Sequence, residues 1–298
     1  MITFTRVNKS DNWEEPKGFS SAEALLAKLI YDALRNLRDG SMSDAFMQGI
    51  STGDIDKILA ALDLGRFKDA MSQVGDILGN YAEKTGINQL DNLGVDANLL
   101  FNIINQNAVK FARESSSKMV VEITEELRRS IQSKIASAVS GKMTVDETAR
   151  QIRQGLPLHS AWAKAVPKFY EKTYRRLLKD GVPNAKAQAN AEALAAKYEQ
   201  KLIRKRALTI ARTETSRSAM RGTYDSWIAG INNGLIRPNS RKVWYAEPNA
   251  CDLCADLKDK TIGITDGWGA TDLYGEILTP PRHPNCRCVV ALLPPKEA

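Results

Sequence analysis

Cys251-Asp252-Leu253-Cys254 and, about thirty residues later, His283-Pro284-Asn285-Cys286-Arg287-Cys288 decide how this chain is read. They hold all 4 cysteines of the 298-residue sequence and one of its 2 histidines. Cys251/Cys254 and His283/Cys286 each enclose two residues. With that spacing, two tight turns present four ligands to one tetrahedral ion. Cys251, Cys254, His283 and Cys286 are therefore the expected ligands. Cys288 is the alternative: it replaces His283 in a four-cysteine site, or it points the other way from the strand it opens. Thiolates with imidazole in a tetrahedral set select zinc. Four protein ligands close the site, which is the structural pattern, whereas a catalytic zinc keeps a position open.

Disulfides are the plain alternative for four cysteines. The start, Met1-Ile2-Thr3-Phe4-Thr5-Arg6, lacks a signal-peptide layout, and no apolar run approaches the length that spans a bilayer. A reducing cytosol is the expected setting, and there clustered cysteines more often hold a metal.

Around the cysteines the chain reads as a small antiparallel sheet. Arg241–Tyr245 is a strand, Thr261–Ile264 a weak second and Cys288–Leu293 a third, closed by Pro294-Pro295. A core of that size is marginal unaided, and a metal clip supplies the missing stability.

Upstream the period is helical. Ser20 with Glu23 forms a capping box before Leu25, Leu26, Leu29, Ile30 and Leu34, and Gly40 stops that helix. Short helices follow over 43–48, ended by Gly49, and over 54–62. Another runs over 67–85, weakened by Gly75 and Gly79. Residues 97–140 form a long helix with Ile123, Leu127, Ile131 and Ile135 in register, and Thr144 with Glu147 caps a short one. Residues 160–179 are helical, with Pro167 as a kink or as the true first turn. Asn184 caps a helix that continues toward Ala229 and is expected to break or kink near 204–222. The expectation is a mainly α protein: elongated helical N-terminal and middle regions, then a small zinc-clipped α+β module. Its segments are an extended arm over 1–19, a small helical bundle over 20–95, a helical, basic body over 96–231 and the sheet module over 232–298.

Charge is unevenly placed. The chain carries a net +7, yet His159–Tyr245 holds 18 Lys or Arg against 6 Asp or Glu, about +12 there and about −5 elsewhere. Such a block is the footprint of a polyanion partner, or simply a set of solvated helix faces. Within it, Ile203, Ala207, Ile210, Glu214 and Arg221 share one helical stripe. Glu214 thus occupies an inward position and needs a partner, with Arg217 and Arg221 three and seven residues on. Catalytic signatures are missing: there is no G-x-S-x-G, no phosphate-cradling glycine loop and no H-x-E before a P-C-x-x-C. His159 opens the basic region and reads as a surface or capping residue. No enzymatic activity and no catalytic residue are expected.

Arg206–Thr215 (RALTIARTET), Lys242-Val243-Trp244, the C-x-x-C and Pro280–Cys288 together resemble the phage Mu F-like head morphogenesis family. Asn105-Gln106-Asn107, Val121–Arg128 and 141–154 extend the resemblance to roughly residues 95–294. It implies a minor head protein of a tailed phage or prophage, located in the virion head or procapsid, and in host cytoplasm during assembly. The portal protein is its implied partner, with the major capsid or scaffolding protein as further ones. It implies roles in DNA packaging, retention or ejection. A DNA-filled head gives the basic block a natural partner. Lys164, Lys168, Lys172, Arg175, Arg176, Lys201, Arg204, Lys205 and Arg206 would contact double-stranded DNA at phosphates, without sequence preference. The rival readings are a zinc-containing nucleic-acid enzyme, such as a nuclease acting on packaged DNA, and a plain prophage DNA-binding protein.

Overall fold

The computed structural model describes residues 16–295 apart from 42, 97–99, 139, 141–142, 154–155, 157, 159, 270 and 273–274. The expected arm over 1–19 lies almost wholly outside the described residues, as does His159. Helices dominate: α1 (Phe19–Gly40), α2 (Asp44–Thr52), α3 (Ile55–Ala60), α4 (Leu64–Asn92), α5 (Phe101–Ser137), α6 (Val145–Arg153), α7 (Ser160–Ala163), α8 (Ala165–Lys179), α9 (Asn184–Asn232) and α10 (Asp252–Ala255). The strands are β1 (Arg241–Tyr245), β2 (Thr261–Gly263), β3 (Thr271–Asp272), β4 (Gly275–Glu276) and β5 (Val289–Leu293). No helix among the described residues is long and apolar enough to cross a membrane.

The chain forms two compact units. The first gathers the described parts of Met1–Leu26, Val74–Ser115 and Thr209–Ala298; the second gathers those of Ala27–Gln73 and Ser116–Leu208. Helices α1, α4, α5 and α9 each give a stretch to both.

In the first unit the sheet is antiparallel in the order β2-β1-β5. Trp244 of β1 stands opposite Val290 of β5, and Lys242 opposite Leu292. The β3–β4 hairpin is a second, two-stranded sheet that the weak local pattern did not announce. Trp227, Trp244 and Trp268 join Ile264, Ile277, Val290, Leu292 and three of the cysteines in one apolar cluster. Glycines bring the helices close. A Cβ on Gly222 of α9 would collide with the Ala82 carbonyl of α4, and one on Gly79 would sit 2.8 Å from the Ala112 Cβ of α5. This close packing explains why Gly79 and Gly222 do not interrupt α4 or α9. The break expected in the helix after Asn184 is absent: α9 is assigned as one helix of 49 residues.

In the second unit the caps follow the sequence. Ser43 Oγ accepts from the Phe46 N–H at the start of α2, and Asp54 accepts from the Lys57 N–H at the start of α3. The Glu147 N–H donates to Thr144 Oγ1 at α6. Gly49 does not end α2; the helix runs on to Gly53, which takes the left-handed cap conformation at φ 68. Gly49 is needed inside α2, since its Cβ would lie 2.9 Å from the Ile58 backbone of α3. Pro167 falls in the first turn of α8, where its missing N–H costs nothing. Ile123, Leu127, Ile131 and Ile135 line the buried side of α5, and Ala187, Ala191 and Ala195 that of α9.

Glu199 of α9 is buried here, with its side chain 2% exposed and Arg38 Nε 3.4 Å away. Its Oε1 has no hydrogen-bond partner among the described residues. Burial outweighs the attraction of Arg38 and raises the carboxyl from 4.5 to about 7. The folded protein therefore keeps a proton that the unfolded chain releases. That contribution is complete below pH 4.5 and is lost as pH rises through about 7. Glu199→Gln is expected to be more stable than wild type at pH 8 by roughly 1–3 kcal/mol, with the gap closing toward pH 4.5. Denaturant unfolding followed by helical circular dichroism at the two pH values checks this; an equal effect at both would refute it.

Candidate metal centre

Two short turns build the centre. In the first, Cys251 precedes α10, and the Cys254 N–H donates to the Cys251 carbonyl at 2.9 Å. In the second, the Cys286 N–H donates to the His283 carbonyl at 3.1 Å, with Asn285 between them in the left-handed region at φ 64. Asn is among the few side chains that tolerate that conformation. Each turn thus directs its two ligands to one side.

The two turns meet. His283 Nε2 lies 3.1 Å from Cys251 Sγ and 3.1 Å from Cys254 Sγ. Cys254 Sγ lies 3.7 Å from Cys286 Sγ. Two ligand groups result, Cys251/Cys254/His283 and Cys254/Cys286/Cys288, with Cys254 common to both. Cys288 therefore joins the cluster rather than pointing away from it. Cys254, Cys286 and Cys288 are buried, and Cys251 is exposed.

These donors fit a metal ion. With metal–sulfur bonds of about 2.3 Å a tetrahedral site has sulfur–sulfur edges of about 3.8 Å, close to the Cys254–Cys286 separation. Sulfur–nitrogen edges of about 3.5 Å are expected, so His283 would move outward slightly on binding. His283 is oriented for the task. Its Nδ1 is 2.8 Å from the Pro284 carbonyl, which can only accept; Nδ1 therefore carries the hydrogen and Nε2 keeps its lone pair. The thiols share charge unevenly. Hydrogen bonds from Cys254 and Cys286 pull Cys288 down to about 3, helped by the Glu247 backbone and the Trp244 side chain, while Cys254 is pushed up by Cys286 and Cys288. Crowded thiols of this kind cannot all ionise without a cation among them.

The first unit holds the centre in place from α9 and α1. Thr209 and Thr213, one turn apart on α9, receive Asn285: its N–H donates to Thr213 Oγ1 at 3.0 Å, and its side-chain amide reaches Thr209 Oγ1 at 3.4 Å. Arg282 donates to the Leu253 carbonyl, joining the two turns. Arg287, between Cys286 and Cys288, donates to Glu23 Oε2 of α1 at 2.8 Å. Arg212 of α9 reaches the same carboxylate at 3.1 Å. Glu23 is only 6% exposed, and its side chain serves these arginines. Glu214 is buried as expected, with Arg217 Nε at 3.5 Å, while Arg221 pairs with Asp225 at 2.8 Å. Arg212, Thr209 and Thr213 were marked only as members of the RALTIARTET run, and Glu23 only as a capping residue.

In the second unit Lys164, Lys168, Lys172, Arg175, Arg176 and Lys201 are exposed on α8, its N-cap and α9. On α9, Arg204 and Lys205 are exposed as well, each resting on a ring, while Arg206 is not. Arg206 is paired with Glu126 at 2.6 Å and only 11% exposed, Arg204 lies over the Tyr31 ring, and Lys205 lies over Trp162.

Among known proteins, the family model described as Phage Mu protein F like protein matches residues 129–291. No curated protein and no solved structure matches the chain. The matched region spans more than half of the sequence and contains both turns, all five candidate ligands and the RALTIARTET run. The chain belongs to the phage Mu protein F like family.

Proposed function

We propose that this chain is a minor head protein of a tailed phage or prophage that binds the portal vertex and contacts double-stranded DNA without catalysing a reaction. The family match over 129–291 carries this reading. The virion head or procapsid is its place, reached from the host cytoplasm during assembly, with the major capsid or scaffolding protein as further neighbours. Co-expression with the cognate portal protein, followed by affinity capture, is expected to yield a complex. A folded, metal-loaded chain that captures no portal would overturn it.

The ion in the Cys/His cluster is Zn2+, held as a structural clip. Soft sulfur donors with one imidazole favour it. Cys251, Cys254, His283 and Cys286 are the proposed ligands, and Cys288 is the alternative, in reach of Cys254 and Cys286. Purified protein should carry about one zinc per chain, and its thiols should titrate freely only after chelation. Metal-free protein with all four thiols reactive from the start would refute the clip.

The DNA contact rests on α8. Lys164, Lys168, Lys172 and Arg176 recur every four residues and are exposed. Arg150 of α6, which sequence reading passed over, joins Lys168, Lys172 and Arg175 around an open groove of about 590 Å³. Glu147 and Glu171 line the same groove and pair with Arg150 and Arg175, so the phosphate contacts fall chiefly to Lys164, Lys168, Lys172 and Arg176. Binding to linear duplex DNA should weaken steeply with salt, and the double change Lys168→Glu/Lys172→Glu should flatten the log–log salt slope by about 0.9 for each phosphate no longer neutralised. Salt-insensitive binding, or no effect of the double change, would count against it. The DNA should stay intact with divalent ions present; cleavage would favour the nuclease reading.

A further inference from the structure

Lys242 is the most deeply buried cation in the chain's described core, 0% exposed on the central strand β1. It shares a face of that strand with Trp244, two residues on. A buried ammonium is costly unless its hydrogens are taken up. One is: Nζ donates to the Leu278 carbonyl at 2.8 Å. The same carbonyl accepts from the Trp268 indole N–H at 3.0 Å. The ammonium also lies 5.2 Å from the Tyr224 ring centre and 5.8 Å from that of Trp268, where ring faces attract a cation. Asp266 and Glu276 act on it from the surrounding loop and favour its charge, while burial lowers it to about 8.

The position of Leu278 gives this bond its consequence. Leu278 stands five residues before His283 and eight before Cys286. Two donors on one carbonyl fix the point from which the segment 279–286 sets out, and that segment supplies the second turn of the metal centre. Trp268 also packs edge-on against Trp244, with ring centres 5.2 Å apart, and both lie in the apolar cluster that holds Cys254, Cys286 and Cys288. Lys242 and Trp268 therefore reach the same half of the cluster by two routes.

We propose that Lys242, assisted by Trp268, is a positioning residue for the metal centre, pinning the Leu278 carbonyl so that His283 and Cys286 arrive pre-arranged opposite Cys251 and Cys254. It touches no ligand. It lowers the ordering that the 279–286 segment must undergo when the ion binds, and partners of this kind typically change metal affinity about 10–100-fold.

Lys242→Met separates this role from simple stability. Methionine has a similar length and no donor, and the Leu278 carbonyl keeps its bond from Trp268, so the change leaves that acceptor satisfied. The variant is expected to keep the wild-type helical melting midpoint. Its zinc affinity, measured by competition with a chelator, should fall about 10–100-fold. Amide exchange over 279–286 should quicken, while β1 and β5 amides keep their protection. Trp268→Phe removes only the second donor and should move both readouts the same way by less. Wild-type zinc affinity together with wild-type exchange in Lys242→Met overturns the proposal. If that variant does not fold, unchanged exchange over 279–286 in Trp268→Phe overturns it instead. The affinity readout rests on the zinc reading, and wild-type protein that binds no zinc refutes that reading alone. Exchange at 279–286 needs no metal and still decides the role of Lys242.

Discussion

One buried carboxylate in the first segment of the first unit carries two arginines from its last segment. Glu23, near the start of α1, accepts from Arg212 of α9 and from Arg287 of the second cysteine turn. Burying an ion is unfavourable unless its lone pairs are filled and its charge is met. Two guanidiniums do both, and the Arg287 guanidinium also covers the Phe19 ring at 5.4 Å. The geometry is demanding, because all three charged groups must arrive together. This makes the triad a register device: α1, α9 and the Cys286–Cys288 segment can satisfy it in one arrangement only. The two threonine contacts to Asn285 fix the same turn from the next face of α9.

Given that register, the small sheet no longer has to stand by itself. Three short strands with a handful of apolar side chains form too small a core for independent stability. Here β1 packs its tryptophan into a cluster that includes Trp227, Ala219 and Met220 of α9 and Phe19 of α1. The helices in turn approach one another at glycines, with Gly86 of α4 and Gly222 of α9 in near contact. Close backbone approach maximises dispersion contacts and tolerates no added methyl group. A metal ion in the cluster would thus complete a module that helix packing has already placed.

Local signals were legible, and long-range partners were not. The cysteine spacing announced two turns and one cluster, because ligand geometry constrains residues a few positions apart. Ser43, Asp54 and Thr144 announced their helix starts for the same reason, since a cap acts on its own first turn. The three strands of the main sheet followed from β-branched and aromatic runs. Gly49 misled because its lack of a side chain serves a neighbouring helix rather than a helix end. The length of α9 misled as well, since it runs without a break through 204–222. The Glu214 stripe led to a buried carboxylate, yet the residues that tie α9 to the cysteine turn are Thr209 and Thr213 directly and Arg212 through Glu23. Glu23 lies 189 residues from Arg212 in sequence. No periodicity links such positions, and Glu23 itself resembled a capping residue.

That separation bears on what the family region needs. Residues 129–291 contain Arg212 and Arg287 but not Glu23. They contain Ser218 but not Leu78, whose carbonyl accepts from the Ser218 hydroxyl. They contain Gly222 but not Ala82 or Gly86, against which it packs. On the matched segment alone, two arginines would lack the carboxylate they share and α9 would expose the face that α4 covers. Losing the carboxylate that two half-buried guanidiniums share and uncovering an apolar face are both costly. The stretch before the match is therefore part of the fold that presents the Cys/His cluster.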